Sequence, residues 1–172
     1  DDGCPDPDND GDNIPDLQDR CPDQAENIDG VDDDDGCPEA KVIVTRNKLE
    51  IMDKVYFETG KATIKPESFE LLNAISDTLK RFPQVLRVEI QGHTDSRGDD
   101  TYNLDLSQQR ADAVREYLTG QGIDGTRLDA RGYGETRPVD VSETKSAWLK
   151  NRRVEFIIKK HSGSKTSDSD EE

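Results

Sequence analysis

The stretch 92–111, GHTDSRGDDTYNLDLSQQRA, contains two side chains of opposite charge whose spacing could form a binding site. Arg110 falls on the apolar stripe of a predicted helix, four residues after Leu106 and four before Val114. Because removing a guanidinium from water costs several kcal/mol, Arg110 needs an anionic partner. Asp95, in the loop before the helix, could be that partner in an internal salt bridge. Alternatively, Asp95 binds an ammonium and Arg110 a carboxylate, so that the divided site takes a zwitterion.

A second candidate site lies in the acidic stretch DPDNDGDNIPDLQDRCP, where carboxylates alternate around Gly11. This arrangement is typical of a hard cation such as calcium, which takes about six to eight oxygen ligands. The first half is similar to an EF-hand loop, but its twelfth position is Leu17, where that loop requires a bidentate Glu. A solvated acidic linker is the alternative interpretation. The candidate calcium ligands are Asp6, Asp8, Asp10, Asp12, Asp16 and Asp19.

The negative charge of the chain is concentrated at its ends. Residues 1–40 contain 16 acidic residues and one basic residue, whereas residues 41–160 contain 19 acidic and 21 basic residues. The acidic block would be repelled by a phosphate backbone, which argues against nucleic-acid binding. No apolar run is long enough to span a bilayer. Because the chain opens on DDGCPDP, we expect a fragment that reaches a membrane only through a missing N-terminal part.

The first 40 residues are predicted to form a segment without a hydrophobic core. They contain few large apolar side chains, and DDGCPDP at 1–7 is echoed by DDGCPEA at 34–40, which argues against mere disorder. All three cysteines of the chain lie here, each followed by proline, and they favour disulfides formed in an oxidising compartment. Residues 161–172 form a polar tail that we expect to be disordered.

Residues 41–160 are predicted to form one α+β domain, with a mixed sheet of about four strands and its helices packed on one face. The predicted order is β, α, β, α, β, a short helical turn and β. The first helix lies between Pro66 and Pro83, and the second is capped by Asp105 and closed by Gly120 or Gly122. The predicted strands fall within 41–57, which supplies one or two of them, and within 85–92, 126–134 and 153–160.

Four blocks in this domain carry a resemblance to a known family. The stretch GHTDSRGDDTYNLDLSQQRADAVREYL, together with VYFETGKATI, RGYGETRP and NRRVEF, resembles the OmpA-like C-terminal domain, which is shared with the peptidoglycan-associated lipoproteins. The resemblance covers roughly residues 50–159 and implies noncovalent binding of the diaminopimelate side chain of peptidoglycan. It implies that Asp95 and Arg110 hold the two charges of that zwitterion, with Thr94 and Asn103 around the same pocket. For Thr94 and Asn103, a purely structural role is the alternative.

The acidic segment, with the spacing DxDGDxxxDxxDxCP, resembles thrombospondin type 3 repeats, in which calcium and disulfides replace a hydrophobic core. The resemblance implies bound calcium as a cofactor. Because Cys21 and Cys37 bound one repeat unit, we expect a disulfide between them. Cys4 looks like the closing cysteine of a unit cut away upstream, so we expect it to be left free or to pair artefactually. The second unit, CPDQAENIDGVDDDDGCP, departs from the first and contains fewer alternating carboxylates.

The family resemblance implies a non-enzymatic cell-wall anchor whose partner is peptidoglycan. It would lie on the periplasmic side of the outer membrane of a Gram-negative bacterium and belong to an outer-membrane protein or lipoprotein. One alternative is a peptidoglycan hydrolase or amidase that uses His93 and Asp95, although no zinc-binding set accompanies His93 and we expect it to pack in its loop. Another is a calcium-dependent adhesion module with an inactive domain.

Overall fold

The structure is a computed structural model that describes residues 8–23, 25 and 41–162. The chain divides into two units, Asp1–Ala40 and Lys41–Glu172. In the first unit, residues 8–23 form bends and turns in which aspartate side chains accept hydrogen bonds from the backbone. All helices and strands of the described ranges belong to the second unit. None of these helices has both the length and the apolar character needed to cross a membrane.

The second unit is an α+β fold with a five-stranded mixed sheet, which confirms the predicted class. The strands are β1 (Val42–Val44), β2 (Lys48–Ile51), β3 (Val85–Gly92), β4 (Leu128–Gly132) and β5 (Val154–His161), and the helices are α1 (Phe69–Arg81), α2 (Asp100–Gly120) and α3 (Lys145–Asn151). The sheet order is β1-β2-β5-β3-β4. Only the β3–β4 pair is parallel among the paired strands of the described chain. Of the one or two strands expected within residues 41–57, the structure has two, which form the β1–β2 hairpin.

One hydrophobic core lies between the sheet and the first two helices. Register places Leu49 opposite Phe156, Phe156 opposite Ile90, and Ile90 opposite Ala130, so these residues form an apolar row on one face. Residues that pair directly across strands point to the same side of a sheet. The helices close this face with seven buried residues, namely Leu71, Leu72, Ile75, Leu79, Ala111, Val114 and Leu118. The predicted packing of helices on one face is therefore confirmed.

Helix α2 begins six residues earlier than the sequence predicted. Its N-cap is Asp99, whose carboxylate accepts a hydrogen bond of 3.0 Å from the backbone N–H of Tyr102. The predicted cap, Asp105, is wrong: it lies inside the helix, where its side chain accepts from Gln109. The end of the helix agrees with the prediction, since α2 ends at Gly120 and Gly122 follows with φ of +93°. A helix of 21 residues thus spans the sheet from the loop that follows β3.

Two strand-ending glycines allow α2 to lie directly on the parallel strands. A Cβ added to Gly92, at the end of β3, would lie 2.1 Å from the backbone oxygen of Ser107. At Gly132, the end of β4, an added Cβ would lie 2.3 Å from the backbone nitrogen of Gln108. The side chain of Gln108 accepts a hydrogen bond from the backbone N–H of Gly132, which fixes the helix to the strand end. The helix therefore sits at contact distance beside the carboxyl ends of both strands.

We expect Gly92→Ala to destabilise the domain by about 3 kcal/mol, because the new methyl group meets helix backbone that cannot rotate away. Gly120→Ala is the matched control, since an added Cβ there has no atom within 4 Å. That change should leave stability unaltered or raise it by about 1 kcal/mol. Urea unfolding of both variants measures the difference, and equal midpoints would contradict the close approach.

Candidate functional site

An open pocket of about 670 Å³ lies at the carboxyl end of β3. It is lined by the loop after β3, the first turns of α2, the residues that follow β2, and the end of α3. All four predicted ligand-binding residues line it: Thr94, Asp95, Asn103 and Arg110. The fold therefore brings together residues that are up to 16 positions apart along the chain.

Asp95 is a buried carboxylate held by two arginines. Its residue surface is only 5% exposed. The side chain of Arg97 donates to both carboxylate oxygens, at 3.1 Å and 2.9 Å, and Arg152 donates to Oδ2. Burial acts to raise the pKa of Asp95, but the hydrogen bonds from Arg97 and Arg152 outweigh it and lower that pKa to about 2. Asp95 is therefore negatively charged at neutral pH.

Arg110 lies in the same pocket without an ion pair to any carboxylate in the described residues. Its Nε donates to the backbone oxygen of Lys61 at 3.0 Å, and its guanidinium lies 5.0 Å from the centre of the Phe57 ring. Burial lowers the pKa of this guanidinium. The internal salt bridge between Asp95 and Arg110, one of the two interpretations of the sequence, is wrong because Arg97 and Arg152 pair with Asp95 instead.

Thr94 presents a hydroxyl group that forms no hydrogen bond within the described chain. The residue is 6% exposed, and its Oγ1 atom is buried without a protein partner. Its backbone N–H donates to the oxygen of Gly134 at 2.9 Å, which fixes the loop position. Buried hydroxyls normally have a partner, so a pocket-lining hydroxyl without one is suited to a bound ligand.

Asn103 fastens the loop that carries Asp95. Its Nδ2 atom lies within hydrogen-bonding distance of three oxygens: the side chain of Glu135 at 2.7 Å, the backbone of Arg97 at 3.1 Å and the backbone of Asp95 at 3.4 Å. These contacts join the first turn of α2 to the loop before it. They favour the structural role that the sequence left open for Asn103.

Sequence reasoning missed the arginines that surround Asp95. From the sequence, Arg152 could contact glycan or simply be a charge at the entrance of the last strand; the structure places it at the C-cap of α3, where it donates to Asp95. Arg97 lies 4.3 Å from the centre of the Trp148 ring in a cation–π contact. The DSR sequence at 95–97 offered one signal, because a side chain two residues away can reach back to a loop carboxylate. Among the residues that the structure describes, five cations line the pocket beside the single carboxylate of Asp95: Lys54, Arg97, Arg110, Arg152 and Arg153.

His93 is packed in a manner that argues against catalysis. It is 2% exposed, its ring stacks on Tyr133 with centroids 5.5 Å apart, and its Nε2 lies 3.4 Å from Glu155. A general base needs a pKa near the working pH, whereas the pKa of Asp95 is about 2. His93 and Asp95 are therefore poorly suited to act as the acid–base pair of a hydrolase.

In the N-terminal unit, three of the predicted calcium ligands come together. Carboxylate oxygens of Asp8, Asp10 and Asp12 lie within 4.8 Å of one another. Gly11, with φ of +78°, makes the turn between them possible. Asp16 and Asp19 are not members of this group, and they accept hydrogen bonds from the backbone of Asn9 and of Cys21.

The disulfide prediction stays a prediction. Cys21 is disulfide-bonded. Cys37, which was expected to pair with it, lies outside the described residues, as do Cys4 and the candidate ligand Asp6.

Comparison with known proteins identifies the family of the domain that contains the pocket. The sequence model of the OmpA family matches residues 56–152, which is more than half of the chain. The chain belongs to the OmpA family. It is 39% identical over 158 residues to outer membrane porin F of Pseudomonas aeruginosa, in a match that covers 91% of this chain and 42% of that protein. It is also 39% identical over 108 residues to the peptidoglycan-associated lipoprotein of the same species, covering 63% of each.

Solved structures support the same family assignment. The peptidoglycan-associated lipoprotein from Burkholderia pseudomallei matches with a TM-score of 0.56 and 34% identity, over 61% of this chain and 89% of that one. The cell wall anchor of the T6SS from Pseudomonas aeruginosa matches with a TM-score of 0.59 and 28% identity, over 68% and 85%. This OmpA-family chain spans less than two thirds of the full length of the curated relatives named above.

Asp95→Asn should make the domain less sensitive to acid. The folded pKa of Asp95, about 2, lies below the ordinary value of 3.8. The carboxylate therefore stabilises the fold above about pH 4, and this contribution is lost as the pH falls through about 2. It amounts to at most about 2 kcal/mol, because solvent screens the exposed Arg97. Urea unfolding between about pH 6 and pH 2.5 should show a shallower decline for Asp95→Asn than for the wild type, and parallel declines would refute the assignment.

Proposed function

We propose that the pocket binds the diaminopimelate side chain of peptidoglycan stem peptides. The observation that carries the proposal is the placement of Arg110 in the same pocket as the anionic Asp95. Arg110 is a partly buried cation with no carboxylate partner among the described residues. The free end of diaminopimelate carries an ammonium and a carboxylate on one carbon. In this arrangement Asp95 takes the ammonium and Arg110 takes the carboxylate.

The energetics favour a ligand that offers both charges. Arg110 is desolvated by burial, as the lowered pKa of its guanidinium indicates, and a ligand carboxylate would offset that cost with a charge-assisted hydrogen bond. The buried hydroxyl of Thr94 supplies a further hydrogen-bonding group. The carboxylate of Asp95 remains ionised far below neutral pH and attracts an ammonium.

The names of the relatives support an anchoring role. Two similar proteins are called peptidoglycan-associated lipoproteins, and another is described as a cell wall anchor. The match to outer membrane porin F covers 91% of this chain, a share that includes part of the acidic N-terminal unit. We therefore infer that the chain fastens an outer-membrane protein or lipoprotein to the cell wall, on the periplasmic side of the outer membrane of a Gram-negative bacterium.

Asp95→Ala and Arg110→Ala should each remove most of the binding to purified sacculi, because either change leaves one ligand charge unpaired in a desolvated pocket at a cost of a few kcal/mol. Asp129→Ala and Arg115→Ala are the matched controls. Asp129 pairs with Arg87 away from the pocket, and Arg115 is an exposed residue of the same helix as Arg110. Co-sedimentation with sacculi, with and without free diaminopimelate as competitor, measures the effect.

The outcome also separates binding from hydrolysis. A binder sediments with the sacculi and releases no muropeptides, whereas a hydrolase or amidase releases them.

Arg110→Leu should remain at least as stable as the wild type, since replacing a desolvated charge by a hydrophobe is often neutral or favourable. A folded Asp95→Ala variant that co-sediments at wild-type strength would refute the proposed site.

A second proposal, that the N-terminal unit binds calcium, rests on the grouping of Asp8, Asp10 and Asp12. Three carboxylates on a tight turn provide the oxygen ligands that calcium prefers. Bound calcium would neutralise carboxylates that otherwise repel one another, in a segment whose described residues form no helix or strand.

Calcium should protect residues 8–23 from proteolysis, while residues 41–162 resist protease with or without it because they have a core of their own. Limited proteolysis with calcium and with a chelator measures the difference. The double change Asp10→Asn and Asp12→Asn should abolish the protection, and Asp77→Asn, an exposed residue of α1, is the control. If calorimetry detects no calcium binding tighter than the millimolar range, the acidic segment is a solvated linker and not a calcium site.

A further inference from the structure

The carboxylate of Asp95 is fully used by protein donors. Oδ1 accepts from the backbone nitrogen of Arg97 at 3.0 Å and from its Nε at 3.1 Å. Oδ2 accepts from Nη2 of Arg97 at 2.9 Å and from Nη1 of Arg152. A carboxylate offers about four acceptor positions. An incoming ammonium can therefore reach Asp95 only if one of these donors leaves.

Arg97 is the donor that can leave most easily. Its side chain is 55% exposed, compared with 35% for Arg152. If Arg97 moves off the carboxylate, its guanidinium returns to water at little desolvation cost, and the backbone N–H of Arg97 still holds Oδ1. Arg152 retains its own contact with Oδ2, so Asp95 stays fixed in the pocket.

Trp148 gives Arg97 a contact that does not depend on Asp95. Its guanidinium lies 4.3 Å from the centre of the Trp148 ring. The carboxylate of Glu143 accepts hydrogen bonds from Trp148 Nε1 and from the hydroxyl of Ser96, the residue before Arg97. An arginine displaced from Asp95 can thus keep its aromatic contact while it turns toward a second carboxylate.

We infer that Arg97 is a built-in competitor for the ammonium subsite: in the free protein its guanidinium occupies the place on Asp95 that the ligand's ammonium takes, and it must move aside for binding. This inference rests on the proposed binding of diaminopimelate. It assigns to Arg97 a role in setting affinity through its competition for Asp95, whose position is kept by Arg152.

The competitor affects only ligands that carry a cation. The apparent affinity of such a ligand is reduced by the fraction of molecules in which Arg97 occupies Asp95. A ligand that offers carboxylates alone binds to Arg110 and does not require Arg97 to move. Pimelate has the seven-carbon chain and both carboxylates of diaminopimelate but lacks the ammonium groups, so it provides the matched ligand.

The test is a titration of the full chain with free diaminopimelate and with pimelate, by calorimetry and by the fluorescence of Trp148, the single tryptophan of the sequence. Arg97→Ala should bind diaminopimelate about threefold to tenfold more tightly than the wild type, a range set by the modest strength of partly exposed ion pairs. Its affinity for pimelate should be unchanged. Arg97→Lys, which keeps a single competing cation, should give a smaller gain.

Arg137→Ala is the control variant. Arg137 also stacks on an aromatic ring, 3.8 Å from the centre of Tyr133, but it does not line the pocket. Its loss changes the net charge by the same amount as the loss of Arg97 and should leave both affinities at the wild-type value. Thermal unfolding checks that every variant is folded.

The outcomes separate this inference from the proposed function. Diaminopimelate binding that disappears in Asp95→Ala but is equal or weaker in a folded Arg97→Ala overturns the competitor role and leaves the proposed function standing. An equal gain for pimelate and diaminopimelate also overturns it, since a general charge effect would then explain the change. Failure of both the wild type and Arg97→Ala to bind diaminopimelate overturns the proposed function and this inference together.

Discussion

The close approach of α2 to the parallel strands is the constraint on which the pocket depends. Gly92 and Gly132 have no side chain, so the backbone of the helix near Ser107 and Gln108 can touch both strand ends. Because a helix advances about 1.5 Å per residue, this anchoring point also fixes how far Arg110 lies from the loop that carries the buried acid. A helix lifted by one side-chain layer would move the cation away from that loop.

The two charged groups of the pocket, Asp95 and Arg110, are paired unequally. Asp95 forms ion pairs with two arginines. Among the described residues, the guanidinium of Arg110 contacts a backbone oxygen and an aromatic ring but no carboxylate. In a region of reduced dielectric, such an imbalance favours a molecule that supplies the missing negative charge and penalises one that supplies a positive charge alone. In the proposed complex, the carboxylate of diaminopimelate would therefore meet the incompletely satisfied guanidinium of Arg110.

The sequence predicted the site better than it predicted the contacts within it. The sequence placed Asp95 in the loop after the central strand and Arg110 on the helix that follows that loop. Both residues were therefore expected at the edge of the sheet where that strand ends. The pairing of Asp95 with Arg152 joins residues 57 positions apart, and no local pattern encodes it. The start of α2 was missed because several aspartates precede it, and only geometry shows that Asp99 is the one that caps the helix.

The order of strands in the sheet has a consequence for how the domain forms. The strand nearest the C-terminal end, β5, lies in the middle of the sheet, between β2 and β3. Until that strand is in place, the β1–β2 hairpin and the β3–β4 pair have no backbone hydrogen bonds to each other. Strands so distant in sequence pair late in folding, because closing the long intervening loop costs conformational entropy. During synthesis from the N-terminus, the sheet can therefore be completed only after nearly the whole domain has been synthesised.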